Sequence, residues 1–188
     1  MFDRDQLVAD CLEAGAQAEP LRAVKQVLDR TLSNASDVAS TLDPQEGGIE
    51  FLYVSDDLTV ANIVWAPGMQ LFPHDHRMWA AIGIYTGAED NAFFRRPAPD
   101  ARTLVDAGGK QITTGDVLLL GDDVIHSVAN PLTQLTGAIH VYGGDFVHKS
   151  RSQWGPGPRE ERPLDMNDLR EQFAQANAAW HESLDSTD

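Results

Sequence analysis

Residues Gly68–Gly87 read GMQLFPHDHRMWAAIGIYTG and carry His74-Asp75-His76 inside an apolar, strand-like run. In a β-strand successive side chains point to opposite faces, so His74 and His76 share a face and Asp75 points away. Two imidazoles about 7 Å apart along one face can converge on one metal ion. Two unrelated surface histidines would show the same spacing, so the pair alone leaves both readings open.

Outward from this stretch the chain has the period of β-structure. Upstream, Ile49–Val54 and Leu58–Trp65 read as strands with Asp56-Asp57 as the turn between them, and Pro67-Gly68 is a further turn. Downstream, Met78–Tyr85 is apolar and β-branched, Thr86-Gly87 breaks it, and Glu89–Arg95 continues as a strand. Pro97–Asp100 reads as a loop, Arg102–Val105 as a short strand and Ala107–Gly109 as a turn. The runs Val117–Leu120, Val124–Val128 and Leu135–Tyr142 follow. About eight to ten short strands, with turn signals every ~8–12 residues and no helix between them, predict an antiparallel sandwich or barrel.

Helices flank this core. Residues 3–14 place Leu7, Val8, Cys11 and Leu12 on one side, and a second helix starting at Pro20 spaces Leu21, Val24, Val27, Leu28 and Leu32 at helical intervals. A short helix is expected over Ser36–Thr41. Gly143–Pro163 reads as a loop. A last helix over Met166–Leu184, capped by Asp165, aligns Leu169, Phe173, Ala176, Trp180 and Leu184 on one face. That face is expected to dock on the barrel, with a dimer contact as the second choice. The organisation predicted is one domain: a helical extension over 1–44, a barrel over 49–147 and a helix over 165–184.

Among 188 residues, 29 acidic side chains oppose 14 basic ones, for a net charge of −15. That balance argues against sequence-independent binding to nucleic acid or to an anionic membrane. It leaves room for an anionic small molecule, because one arginine can dominate inside a pocket. The single cysteine, Cys11, precludes an intrachain disulfide and reads as a small packed residue. The first residues lack the apolar core of a signal peptide, and no run reaches the roughly 18 apolar residues of a membrane span. A cytoplasmic protein, monomer or homodimer, is expected.

A tight metal site needs a third protein ligand. His126 supplies a candidate in Gly115–Asn130, GDVLLLGDDVIHSVAN. At this point the chain resembles the cupin superfamily. The first cupin motif, G-x5-H-x-H-x3,4-E-x6-G, is met by Gly68, His74, His76 and Gly87, with Ala80 in place of the glutamate. The second, G-x5-P-x-G-x2-H-x3-N, is met by Gly115, His126 and Asn130, with Gly121 and Asp123 in place of the proline and glycine. The resemblance covers about residues 49–147. It implies a double-stranded β-helix, or jelly-roll barrel, with a metal held by His74, His76 and His126.

Cupins with the glutamate bind metal through three histidines and a carboxylate. Three histidines alone are the arrangement of the thiol dioxygenase branch, which uses Fe(II), and there the substrate thiolate brings the negative charge. Ala138-Ile139-His140-Val141-Tyr142 is similar to the Ser-x-His-x-Tyr segment of that branch, with Ala138 at the serine position. The resemblance implies that Tyr142 approaches substrate and oxygen and that His140 orients it; the missing serine implies water in its place or a weaker proton network. Trp79 matches the HDH-x-x-W pattern of mercaptopropionate-type enzymes and is a substrate-side candidate, with barrel packing as the other reading. The carboxylate-binding arginine of that type follows His-x-Tyr by about nine residues, where Arg151 stands; Arg77, Arg95 and Arg96 are weaker candidates. His148 and His181 read as surface residues, and Asp122 and Asp123 as a solvated turn.

The activity implied is an Fe(II)-dependent dioxygenase converting a small thiol and O2 to a sulfinate. The alternatives are a three-histidine cupin with another metal or a non-thiol substrate, and a non-catalytic cupin that binds a small ligand.

Overall fold

The computed structural model describes residues 1–156 and 160–186. Three helices come first: α1 (Arg4–Gly15), α2 (Pro20–Leu32) and α3 (Ala35–Leu42). Asp3 caps α1, its carboxylate accepting from the backbone N–H of Asp5 and Gln6 at 2.9 and 3.1 Å. Pro20 opens α2, where its missing N–H costs nothing. Val24, Val27, Leu28 and Leu32 recur at three- and four-residue spacing and bury one face of α2. With Leu7, Cys11 and Val38 they pack on Val60, Ala81, Tyr85, Ile139 and Val141 of the sheet below. Leu12, expected on the buried side of α1, is 38% exposed.

The strands are β1 (Gly48–Val54), β2 (Thr59–Trp65), β3 (Gln70–Asp75), β4 (Ala80–Thr86), β5 (Ala88–Arg95), β6 (Val105–Thr113), β7 (Val117–Leu120), β8 (Ile125–Ala129), β9 (Thr136–Tyr142), β10 (Ser152–Gln153) and β11 (Arg162–Pro163), followed by helix α4 (Met166–Asp185). One sheet runs β1-β2-β9-β4-β7 and the other β11-β10-β3-β8-β5-β6. Among the described residues every strand pairing is antiparallel. From β2 to β5 the chain crosses to the opposite sheet at each step, and it does so again from β7 to β9. This path is a double-stranded β-helix, the fold the cupin resemblance implies.

Strands β4 and β9 are buried on both faces because the helices cover the outside. Ala80, Ile82 and Ile84 face Tyr142, His140 and Ala138 across the β4–β9 ladder and point into the barrel. Ala81, Tyr85, Ile139 and Val141 point into the helical layer. Gly83 lies on that outer face, where a Cβ would meet Leu32 Cδ1 at 2.8 Å; its absence lets α2 approach.

Helix α4 closes one end of the barrel with its first half only. Leu169 and Phe173 are buried, and Phe173 stacks on Trp65 with ring centroids 5.4 Å apart. Asn177 clasps Gly47 through both backbone groups, at 2.8 and 2.9 Å. Beyond that clasp Leu184 is 54% exposed, so the predicted apolar face docks over Leu169–Ala176 and not to its end.

Two local expectations are corrected. Residues 102–104 are not strand, and Ala107–Gly109 is not a turn: β6 runs through it from Val105 to Thr113. Phe93 pairs with Gly108 and Phe94 with Asp106, so Ala107 is the extra residue of a β-bulge, and Gly108 takes φ +105° to allow it. The glycines mark a bulge on an edge strand, a position that resembles a turn in sequence. The predicted Gly143–Pro163 loop contains β10 and β11, whose pairing carries the second sheet past residue 147; positions 157–159 lie outside the described residues.

Candidate metal centre

His74 and His126 are direct partners in the β3–β8 ladder, so their side chains start side by side on the inner face. His76 lies just past the end of β3, where Arg77 takes φ +52° and turns the chain. His76 Nε2 sits 3.2 Å from His74 Nε2 and 3.3 Å from His126 Nε2. Nitrogens sharing one ion at about 2.0–2.1 Å, with angles between octahedral and tetrahedral, sit about 2.8–3.4 Å apart. Among the described residues this trio is the cluster able to hold a metal ion.

The outer nitrogens point the same way chemically. His74 Nδ1 faces the Phe72 carbonyl at 3.1 Å, and His126 Nδ1 faces Asn91 Oδ1 at 2.9 Å. Both partners are acceptors, so both Nδ1 atoms carry the proton and both Nε2 lone pairs face inward. Lone pairs converging in a buried site call for a positive partner, the His76 Nε2–H in the metal-free fold or a cation held among them. The donor set fits a divalent transition metal.

Burial holds His74 down to about 4 and His76 and His126 well below the usual histidine value, and neighbouring histidines push in the same direction. All three are neutral at pH 7, as ligation requires. In the unfolded chain histidines take up protons near pH 6.5, so below about 6.5 the unfolded state binds more protons than the metal-free fold. The stability these neutral histidines contribute is complete above about 6.5. It is lost as the pH falls toward about 4, at no more than about 1.4 kcal/mol per pH unit per histidine. Urea titrations of the metal-free protein at about pH 7 and 5 are expected to show the midpoint falling on acidification, and falling less in His76→Gln. An unchanged midpoint would contradict the buried, neutral trio.

The remaining candidates divide clearly. His140 and Tyr142 point into the same cavity from β9, with Tyr142 Oη 3.0 Å from His140 Nδ1. Burial raises the Tyr142 phenol above its ordinary value, so it keeps its proton. Arg151, read from sequence as a loop residue, is 3% exposed and lines the cavity. Its guanidinium lies over the Phe146 ring at 3.8 Å, and Nη2 donates to the Phe146 carbonyl at 2.7 Å. Its Nε and Nη1 have no hydrogen-bond partner among the described residues. Trp79 is not among the residues lining this cavity: it lines a surface depression with Arg77, Asp122 and Lys149, and packs toward the helical layer. Arg77 and Arg96 are engaged at Asp75 and Glu161. Arg95 lines a separate surface depression with them. Cys11 is buried in the helical layer with its thiol pushed up to about 12. His148 is exposed and pairs with Asp145 at 2.7 Å, and His181 is exposed.

Three residues acquire roles that sequence did not assign. Asp75 faces away from the histidines and accepts from the Ser152 N–H at 2.7 Å, while Gln153 pairs with His74. The segment that begins at Arg151 is thereby fastened to the strand that carries His74. Asn130, matched only as a motif position, ties a turn by donating to the carbonyls of Trp65, Ala66 and Gln134. Glu89 is fully buried on β5. It accepts from Trp65 Nε1 at 2.6 Å and from Asn91 Nδ2 at 3.4 Å, and its Oε1 lies 3.7 Å from His140 Nε2. Glu89 is therefore the carboxylate nearest to His140 Nε2, at a distance beyond hydrogen bonding. The sequence signal was the i, i+2 pair Glu89 and Asn91 on one face of a predicted strand.

No family model matches the chain. The path of its strands is a double-stranded β-helix. Solved structures that resemble it include an RmlC-like cupin family protein with a double-stranded β-helix fold from Methanocaldococcus jannaschii, at 14% identity over 55% of this chain and 85% of that one, TM-score 0.46. A cupin superfamily protein from Desulfitobacterium hafniense matches at 17% identity over 57% and 88%, TM-score 0.45. An oxalate decarboxylase variant from Bacillus subtilis matches at 15% identity over 54% of this chain and 26% of that one, TM-score 0.43. These likenesses concern the barrel fold. Among the described residues no helix is long and apolar enough to cross a membrane.

Proposed function

We propose that the protein is an Fe(II)-dependent dioxygenase that oxidises a small thiol bearing a carboxylate to its sulfinate. The observation that carries this reading is the pairing, in one buried cavity, of a three-imidazole cluster with an arginine whose Nε and Nη1 lack partners. Buried polar groups are satisfied as a rule, and a buried cation calls for an anion. A carboxylate can accept from these unpartnered N–H groups.

His74, His76 and His126 would hold the iron through Nε2. Iron bound there would seat the thiolate and supply the oxygen chemistry. Arg151 fixes the far end of the substrate, setting the distance at which its sulfur lies. Tyr142 holds its proton on Oη beside His140 Nδ1, and the apolar wall of Leu71, Phe72, Val128, Leu164 and Leu169 excludes water. The overall change balances without a further reductant: both oxygens of O2 go to sulfur, which gives up four electrons.

Anaerobic loading with Fe(II), followed by oxygen uptake over 3-mercaptopropionate, cysteine and cysteamine, tests this reading. Uptake is expected with the carboxylate thiols, one O2 per sulfinate, and not with cysteamine. Equal uptake with cysteamine would remove the carboxylate from the scheme, and no uptake with any thiol would remove the reaction.

Asp75→Ala is a sharper probe of the arginine segment. The variant loses the carboxylate that accepts from Ser152 N–H. A charge-assisted hydrogen bond contributes about 1.5–3 kcal/mol, so KM for the carboxylate thiol is expected to rise roughly tenfold or more. Iron affinity should change little. Loss of iron with unchanged KM would place the effect of Asp75 on His74 instead.

A further inference from the structure

Glu89 is the one carboxylate among the polar groups gathered around His140, and neither metal ligation nor substrate contact accounts for it. It is fully buried, and its neighbours Trp65 Nε1 and Asn91 Nδ2 both donate to it. We propose that Glu89 is a positioning residue that sets the polarity of both proton-bearing arms of the site: His140 and Tyr142 on one side, Asn91 and His126 on the other. The second arm rests on the reading of His126 as a metal ligand; the first does not.

The first arm follows from His140. Among the described residues its Nε2 has no hydrogen-bond partner, and it lies 3.7 Å from Glu89 Oε1. That distance is too long for a hydrogen bond, but in a buried site it orders charge. An Nε2 lone pair facing a carboxylate oxygen is repelled, and an Nε2–H is attracted. His140 therefore carries its proton on Nε2, and Nδ1 is left to accept from Tyr142 Oη at 3.0 Å. Tyr142 then turns its lone pairs toward a donor on whatever the cavity holds.

The second arm follows from Asn91. Its amide has two orientations, and Glu89 Oε2 selects the one with Nδ2 toward the carboxylate. Oδ1 is thereby presented to His126 Nδ1, which must be protonated to donate to it. That leaves His126 Nε2 as a lone pair aimed at His76 and His74. One carboxylate thus dictates the tautomer of a candidate ligand and of the histidine behind Tyr142.

A glutamine at this position separates the two arms. Its Oε1 can still face Trp65 and His140, but its NH2 then opposes the NH2 of Asn91. Asn91 turns over and presents Nδ2 to His126, moving that ring's proton to Nε2, the ligating atom. A leucine removes both influences. The test is 15N spectroscopy of histidine-labelled, metal-free protein together with Zn(II) titration.

In the native protein His140 is expected as the Nε2–H tautomer. Glu89→Gln should keep that signature and bind Zn(II) about 10–100-fold more weakly, the usual effect of losing an outer partner of a ligand. Glu89→Leu should shift His140 away from the Nε2–H form. A native His140 protonated on Nδ1, a Glu89→Leu spectrum unchanged at His140, or a Glu89→Gln protein with native Zn(II) affinity would each overturn the assignment. If Glu89→Leu does not fold, the native spectrum and the Glu89→Gln affinity still decide it. If the native protein binds no Zn(II), the metal reading fails on its own, and the His140 spectrum judges Glu89.

Discussion

The His126→Ala protein is expected to lose stoichiometric metal binding. Structural metal sites with four ligands contribute about 10–16 kcal/mol, or on the order of 3 kcal/mol per ligand, so affinity should drop by about 100-fold or more. The loss is expected to be steep because His126 is locked in place: its ring pairs across the ladder with His74, and its Nδ1 is held by Asn91 at 2.9 Å. No other histidine is placed to substitute, since His140 faces Glu89 and Tyr142, and His148 and His181 lie at the surface. Metal analysis after dialysis reads this directly. Full metal content in the variant would exclude the three-histidine centre.

Arg151→Met is expected to do two opposite things. Its guanidinium is buried, burial lowers its affinity for a proton, and two of its donors are unpartnered. Such a group is held at a cost. Replacing it with an apolar side chain of similar length should stabilise the ligand-free protein, by about 1–3 kcal/mol on the pattern of buried charges exchanged for hydrophobic residues. The same change should raise KM for a carboxylate thiol by at least about 100-fold, because a buried charge pair has no substitute there. Thermal unfolding and steady-state kinetics on one preparation check both. A destabilised variant with unchanged KM would make Arg151 a structural residue.

Much of this site could be read from the chain. The His-x-His pair sits in a strand whose alternation puts both rings inside, and His126 lies where a second motif expects it. What could not be read was burial of charge. Glu89 begins a strand after a turn, where an acidic residue is ordinarily solvated, and only the closure of β5 over β8 puts it beside His140. Arg151 follows a polar, loop-like stretch, and its burial depends on Asp75 drawing Ser152 down onto β3. Both facts come from pairings between distant segments, which local pattern does not encode. The bulge at Gly108 misled for a related reason: a glycine with positive φ marks a turn or a bulge alike, and only the partner strand distinguishes them.

The proposed centre is a metal held by three imidazoles and open to a thiol. X-ray absorption at the iron edge, on protein loaded anaerobically with Fe(II) and measured before and after adding 3-mercaptopropionate, addresses that claim directly. The predicted result is a first shell of nitrogen and oxygen with three imidazole scattering patterns, gaining an iron–sulfur distance when the thiol is added. A first shell with fewer than three imidazoles, or no sulfur on addition of the thiol, would contradict it.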